Sequence, residues 1–119
     1  MLKDNFYTIQ EFDSDGIVLL GLNADHEIFS GHFPGQPVVP GVCLMQMAKE
    51  VLEERLQTKT RLTQAANLKF ISPVDPRATP ELQLNLTYGQ SEDGLIKASG
   101  SMKSGEIVCF KFQGNFVVA

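Results

Sequence analysis

The stretch Gly-His-Phe-Pro-Gly-Gln-Pro-Val-Val-Pro-Gly, residues 31–41, decides how the rest of this chain is organised. It holds three prolines and three glycines. Proline fixes its own φ angle and glycine permits φ values that other residues avoid, so the segment is neither a helix nor a regular strand. It contains His32, one of the two histidines of the chain. A backbone held in one path around a histidine favours a functional loop over an ordinary surface loop.

A helical pattern follows this stretch directly and runs from Val42 to Leu56. Apolar residues cover nearly the whole circumference of its first two turns, which predicts burial on all sides from Val42 to Ala48. Charged residues gather later in the segment, so we expect the helix to be exposed from Glu53 onward. The segment is too short, and too charged at one end, to span a membrane.

Six further segments have the patterns of β-strands, two before the helix and four after it. Apolar and polar residues alternate strictly in residues 81–88 and roughly in residues 6–13, the segment 17–23 is nearly continuous in apolar residues at its start, and turn signals such as Ser91–Gly94 separate consecutive segments. Consecutive strands joined by tight turns are antiparallel. The predicted strands are residues 6–13, 17–23, 61–71, 81–88, 95–103 and 107–118. One helix with an antiparallel sheet predicts an α+β fold in which the sheet curls around the apolar half of the helix.

The composition sets limits on the class of protein. A length of 119 residues suffices for one domain with one core, so we expect a single domain over residues 1–119. The net charge of −4 argues against nucleic acid as a partner. The N-terminus lacks the apolar region of a secretion signal, so a cytoplasmic protein without membrane insertion is expected. Cys43 and Cys109 fall on predicted buried elements, which favours free thiols.

Residues 31–41 resemble the signature of the 3-hydroxyacyl-acyl-carrier-protein dehydratases of the FabA/FabZ type. That family reads Gly-His-Phe-Pro-Gly-x-Pro-x-x-Pro-Gly, and every fixed position is present. The similarity continues upstream through Asp25–Phe29 and downstream through Lys69–Val74, which is similar to the family's Phe-x-x-Pro-Val segment. The resemblance implies the hotdog fold, with one central buried helix wrapped by a curved antiparallel sheet. It also implies a homodimer, or a higher assembly of dimers, in which two sheets meet edge to edge.

Dehydration of a 3-hydroxyacyl thioester needs a base, an acid for the leaving hydroxyl, and donors for the thioester oxygen. The resemblance implies that His32 is the base, and its ordinary pKa suits proton abstraction. It implies that Gly41 binds the thioester through backbone N–H groups at the helix start. Phe29 and Phe33 fit an acyl tunnel or core packing equally. No cofactor is expected, and His26 has too few suitably spaced neighbours for a metal site.

Two positions on the helix depart from the family pattern. Gln46 stands where the family has an Asp or Glu, and Glu50 stands where the family usually has a Gln. A neutral amide binds a hydroxyl but is a poor proton donor. Residues four apart share a helix face, so Glu50 is expected to act in catalysis through Gln46 or a water. Membership of an exposed charge cluster is the alternative for Glu50.

These observations favour a dehydratase that converts a 3-hydroxyacyl thioester of acyl carrier protein, or of coenzyme A, into a 2-enoyl thioester. One alternative is a thioesterase on the same fold, with Glu50 assisting water. The other is a non-catalytic relative that binds acyl chains or completes a partner's interface, because Gln46 replaces the acid. An acidic carrier would need a basic patch, for which the candidates are Lys69, Arg77, Lys97 and Lys103.

Overall fold

Six strands and two helices make up the computed structural model, which describes residues 2–13, 15–31 and 35–119. No helix in these ranges has both the length and the apolar character needed to cross a membrane. In chain order the elements are β1 (Tyr7–Phe12), β2 (Ile17–Leu22), α1 (Ile28–Gly31), α2 (Gly41–Leu56), β3 (Thr60–Phe70), β4 (Glu81–Gln90), β5 (Ile96–Ser104) and β6 (Ile107–Val118).

All six strands form one sheet in the order β1-β2-β4-β5-β6-β3. Every neighbouring pair in it is antiparallel. The strands β4, β5 and β6 follow one another through tight turns, in which Gly94 and Gly105 adopt positive φ. The six predicted strands are confirmed, with bounds that differ by no more than two residues. The α+β hotdog architecture is confirmed with them, and β1 and β3 are its two edge strands.

The core lies between α2 and the inner face of the sheet. Residues in the first half of β4 and in most of β6 alternate between this core and the outside, which is the expected period for a sheet covered on one face. Leu44, Met47, Val51 and Leu52 of α2 are buried in the core. The buried strand residues around them include Val18, Leu20, Leu82, Leu84, Ala98, Met102, Phe110 and Phe116. Cys43 and Cys109 are buried free thiols, as predicted.

The predicted exposure of α2 is wrong at both ends. Leu44 and Met47 are buried as expected, but Val42 is 77% exposed. In the second half of the helix, Glu50 and Glu53 are only 3% and 9% exposed. The physical reason is that other segments cover these acids. The chain around Leu2 and Lys3 covers Glu50, and the start of β3 covers Glu53.

The short helix α1 ends on Gly31, the first residue of the signature stretch, in a region where the sequence predicted no regular element. Phe29 anchors it, because its buried ring stacks on the ring of Phe6 at 5.4 Å between centroids. The N–H of Ile28 donates to Nδ1 of His26 at 3.1 Å. Phe29 therefore packs in the core, which was one of its two predicted roles. His26 caps this turn and packs edge-on against Phe6.

Candidate active site

The helix α2 begins without a side-chain cap. Pro40 precedes it and makes no capping hydrogen bond. The N–H groups of Cys43 and Leu44 donate to the carbonyl oxygen of Pro40 at 2.9 and 3.3 Å. Within residues 2–13, 15–31 and 35–119, no acceptor pairs with the N–H groups of Gly41 and Val42. Unpaired N–H groups at a helix start carry partial positive charge, so they can polarise a carbonyl oxygen.

Gly41 is the residue that allows an aromatic ring to approach this helix start. A Cβ atom added at position 41 would lie 2.8 Å from Cε1 of Phe70. That distance is below ordinary van der Waals contact, so any larger residue displaces the ring. The ring of Phe70 is itself stacked on Phe110, with 5.1 Å between centroids. The glycine therefore keeps the end of β3 against the first turn of α2.

An apolar groove of about 480 Å³ opens beside this first turn. Val42, Phe70 and Ile71 leave 77%, 55% and 52% of their surfaces exposed around it. Exposed apolar groups gathered in one place mark a surface that binds something apolar. The walls are formed by Val38, Val39, Gly41, Val42, Leu44, Phe70, Ile71, Ser72, Pro73 and Val74. The groove and the unpaired N–H groups thus occupy the same end of α2.

Two of the predicted site residues, His32 and Phe33, lie outside the described residues. Their roles as base and acyl contact stay predictions. The described chain reaches Gly31 at the end of α1 and resumes at Gly35, which has a φ of 79°. It then runs through Val39, whose N–H donates to the carbonyl oxygen of Val74 at 2.9 Å. The signature stretch therefore meets the groove wall just before α2 begins.

Gln46 and Glu50 are in direct contact on α2. The Nε2 of Gln46 donates to Oε2 of Glu50 at 2.8 Å. Four more contacts reach the same carboxylate. The N–H of Leu2 lies 2.9 Å from Oε2 and 3.2 Å from Oε1, and the N–H of Lys3 donates to Oε1 at 2.9 Å. The hydroxyl of Tyr7 donates to Oε1 at 3.1 Å. The carboxylate is surrounded by donors.

These donors decide the protonation state of Glu50. Burial raises the pKa of a carboxyl group, but the hydrogen bonds from Gln46, Leu2, Lys3 and Tyr7 outweigh burial, so the pKa of Glu50 is held below 4.5. Burial, together with the charge of Glu50, raises the pKa of the Tyr7 phenol. At neutral pH the carboxylate is therefore charged and the phenol is not. Membership of an exposed charge cluster, the alternative for Glu50, is wrong.

Sequence reasoning missed the segment that completes this cluster. Nothing in the residue types of Leu2 and Lys3 signals the contact, because both bind Glu50 through backbone N–H groups. Tyr7 was assigned to a strand, and its hydroxyl had no predicted partner. A second acid was missed in the same way: Glu53 accepts the N–H of Thr60 at 2.6 Å and fastens the end of α2 to β3.

Comparison with known proteins supports one family. The model of the ApeI-like family, described as ApeI dehydratase, matches residues 9–108. The 3-hydroxyacyl-[acyl-carrier-protein] dehydratase FabZ of Fusobacterium nucleatum is 27% identical over 119 residues, covering 93% of this chain and 83% of that protein. The FabZ of Levilactobacillus brevis is 32% identical over 102 residues, covering 80% of this chain and 68% of that protein.

Solved structures share the fold. A homologue of HP0420 from Helicobacter felis superposes with a TM-score of 0.68 at 15% identity, over 98% of this chain and 90% of that one. The dehydratase heterocomplex ApeI:P from Xenorhabdus doucetiae gives 0.60 at 19% identity, over 90% and 92%. A thioesterase-like protein from Shewanella oneidensis gives 0.61 at 12%, over 97% and 85%. With the family match over most of its length, this chain belongs to the ApeI-like family of hotdog dehydratases.

Proposed function

We propose that this protein is a 3-hydroxyacyl thioester dehydratase that removes water to give a 2-enoyl thioester, and that residues 1–119 form its single domain. The observation that carries the proposal is that a site for the thioester oxygen and a site for the acyl chain lie side by side. The complete signature at residues 31–41 leads into a helix start at which the N–H groups of Gly41 and Val42 have no acceptor among the described residues, and an apolar groove opens beside it. A thioester needs both features, because its oxygen must be polarised while its acyl chain is kept from water.

Each of these residues has a separate role in the proposed reaction. His32 takes a proton from the carbon beside the thioester carbonyl, and the electrons move onto the oxygen held by the N–H of Gly41. The hydroxyl leaves the next carbon along the acyl chain, and a carbon–carbon double bond remains. Gln46 binds that hydroxyl but cannot protonate it. The proton in the departing water therefore comes from the His32 imidazolium, and Phe33 lines the acyl site.

Glu50 acts through Gln46 in this proposal. Its carboxylate already accepts every donor around it and is 3% exposed, so it cannot reach a substrate or a water in the groove. For the same reason the thioesterase alternative is not favoured, since that reaction requires a carboxylate that can activate water. The thioesterase-like structural relative supports the fold alone.

We propose acyl carrier protein as the carrier, with coenzyme A as the alternative, in the cytoplasm. Lys69 and Lys111 pair directly across β3 and β6, and both are exposed. Like charges in register repel each other, and an acidic partner would relieve that repulsion. Lys97 and Lys103 lie on β5, in the same sheet. Arg77 lies in the connection between β3 and β4.

We propose a homodimer in which β3 pairs with its copy. This strand lies at one end of the sheet, and ten of its eleven residues, those after Thr60, are exposed or half-buried. Its end carries Leu68 and Phe70, which are 38% and 55% exposed next to Val42. A long exposed edge strand next to exposed apolar residues is normally covered by another chain.

The test is incubation with a 3-hydroxyacyl thioester of acyl carrier protein or of coenzyme A, followed by mass spectrometry. Loss of water supports the dehydratase, and release of the free acid would support the thioesterase instead. The variant His32→Ala is expected to abolish water loss while the melting temperature changes little. Full activity in that variant would contradict the assignment of the base.

A second candidate is a subunit that works only with a dehydratase partner. The replacement of the usual acid by Gln46 favours it, and the structural relative from Xenorhabdus doucetiae is a dehydratase heterocomplex, ApeI:P. Such a subunit would bind 3-hydroxyacyl thioesters without converting them. Adding a homologous dehydratase that carries the acid would then produce water loss above that of the homologue alone.

A further inference from the structure

The orientation of the Gln46 amide is forced by its contact with Glu50. A carboxylate surrounded by N–H and O–H donors only accepts hydrogen bonds. The group of Gln46 that lies 2.8 Å from Oε2 must therefore be the amide nitrogen. The carbonyl oxygen of the same amide is then directed away from Glu50. Among the described residues, no donor pairs with that oxygen.

Gln46 lies on the outer side of α2. It follows Val42 by about one turn on the same face, and its surface is half-buried. The unpaired N–H groups and the apolar groove begin at that turn. Gln46 is thus one helical turn beyond Val42, which lines the groove, while Gln46 itself is not among the lining residues.

The two carboxylate oxygens of Glu50 accept hydrogen bonds from different parts of the chain. Oε1 receives the N–H of Lys3 and the hydroxyl of Tyr7, while Oε2 receives the amide of Gln46. Leu2 is shared between them. Oε1 therefore holds the N-terminal segment and β1 in place, and Oε2 sets the direction of the Gln46 amide.

We propose that Glu50 is a positioning residue that makes position 46 a hydrogen-bond acceptor, so that the site selects a 3-hydroxyacyl over a 3-oxoacyl thioester. This inference rests on the proposed function, because it takes Gln46 to face the third carbon of the acyl chain. A hydroxyl donates to the carbonyl oxygen of Gln46. The oxygen of a 3-oxo group can only accept hydrogen bonds. It therefore faces a second acceptor, the carbonyl oxygen of Gln46, and forms no hydrogen bond with it.

An isosteric change reverses this polarity. In Glu50→Gln, the new carbonyl oxygen is expected at the Oε1 position, where Leu2, Lys3 and Tyr7 still need an acceptor. The new amide nitrogen then faces Gln46, which must turn its own carbonyl oxygen inward to accept from it. Position 46 now presents N–H groups to the ligand, and these favour the ketone.

The experiment measures affinities by calorimetry in a His32→Ala background, so that the hydroxyl ligand is not consumed. The probes are 3-hydroxybutyryl-, acetoacetyl- and butyryl-coenzyme A. We expect Glu50→Gln to lower the ratio of hydroxyl to ketone affinity by about tenfold, with the affinity for the butyryl probe unchanged. The side-chain amide resonances of Gln46 in NMR spectra are expected to shift with it.

Glu54→Gln is the matched control, because Glu54 binds Nζ of Lys3 at 2.6 Å and not Gln46. It should leave the affinity ratio unchanged. The double variant Gln46→Glu/Glu50→Gln provides the rescue: the amide of residue 50 then holds a carboxylate at position 46, and the preference for the hydroxyl returns.

The outcomes separate the inference from the function. If all three probes bind and Glu50→Gln leaves the ratio unchanged, or lowers it without recovery in the double variant, the positioning role is refuted and the binding site stands. If Glu50→Gln does not fold, the double variant decides: a ratio that fails to favour the hydroxyl refutes the role. If none of the probes binds, the proposed function fails and this inference fails with it.

Discussion

Position 46 shows how one neighbour determines the effect of a substitution. From the sequence alone, replacing Gln46 with Glu looks harmless, since the two side chains have nearly the same shape. The contact with Glu50 at 2.8 Å shows otherwise, because the change sets two carboxylates against each other on one helix face. Two carboxylates at such a distance cannot both ionise without a large cost.

We expect Gln46→Glu alone to lower the free energy of unfolding by about 1–3 kcal/mol at neutral pH. The new acid would have a raised pKa in the folded state, so its cost shrinks as the pH falls and it becomes protonated. Chemical denaturation at neutral and at acidic pH measures this. The double variant Gln46→Glu/Glu50→Gln restores one donor and one acceptor and should recover most of the loss.

A Gln46→Glu protein as stable at neutral pH as the natural one would contradict the contact. The same contact affects how activity measurements on position 46 are interpreted. An attempt to restore the family's acid at position 46 has meaning only in the double variant, since in the single variant Glu50 opposes the new charge.

At the scale of elements, α2 holds the N-terminal segment in place, because the N–H groups of Leu2 and Lys3 donate to the carboxylate of Glu50. The folded-state pKa of Glu50 is lowered, so its contribution to stability is present above its ordinary pKa of 4.5 and is lost as the pH falls through the folded-state value. The charged and titratable groups nearby are Tyr7, Lys3, Asp4 and Glu54.

We therefore expect the backbone N–H groups of Leu2 and Lys3 to lose protection from hydrogen exchange in acid, before the strands of the sheet do. Glu50→Ala should remove the docking at all pH values and lower the free energy of unfolding by about 2 kcal/mol. Hydrogen exchange followed by mass spectrometry measures both effects. Equal protection of Leu2 and Lys3 in the natural protein and in Glu50→Ala would refute the docking.

The six strands and the long helix α2 could be predicted from the sequence, whereas the short helix α1 and the surroundings of each element could not. The strict alternation of residues 81–88 identifies β4, because a strand with one buried face must have that period. The apolar circumference of α2 correctly predicts buried Leu44 and Met47, yet it misplaces Val42 and Glu53. Periodicity reports which residues prefer burial. It does not report which other segment arrives to cover an acid, and this is why the docking of Leu2 on Glu50 was missed.

For the whole molecule, the free edge of β3 and the groove beside α2 lead to a prediction about assembly. We expect light scattering to show a dimer at micromolar concentration. The double variant Val42→Asp/Phe70→Asp places charges in the exposed apolar surface and should yield monomers. Tyr88→Asp is the matched control, since this ring is 40% exposed on β4, which β5 and β6 separate from β3.

A natural protein that is monomeric at that concentration would contradict the proposed dimer. Equal dissociation by Tyr88→Asp would show that added charge, and not its place beside β3, weakens the assembly. The whole-molecule fold follows from the signature and the strand patterns together. The positions of His32 and Phe33 relative to the groove remain predictions, because these residues lie outside the described ranges.

The contact between Glu50 and the backbone of Leu2 and Lys3 has a consequence for comparing relatives. Main-chain N–H groups are the same in every residue except proline. The hydrogen bonds to Glu50 therefore require no particular side chain at positions 2 and 3, and an alignment column would not reveal them. Relatives that use this device would be recognised by two other marks: Gln and Glu in this order one helical turn apart, and the avoidance of proline at two otherwise variable positions.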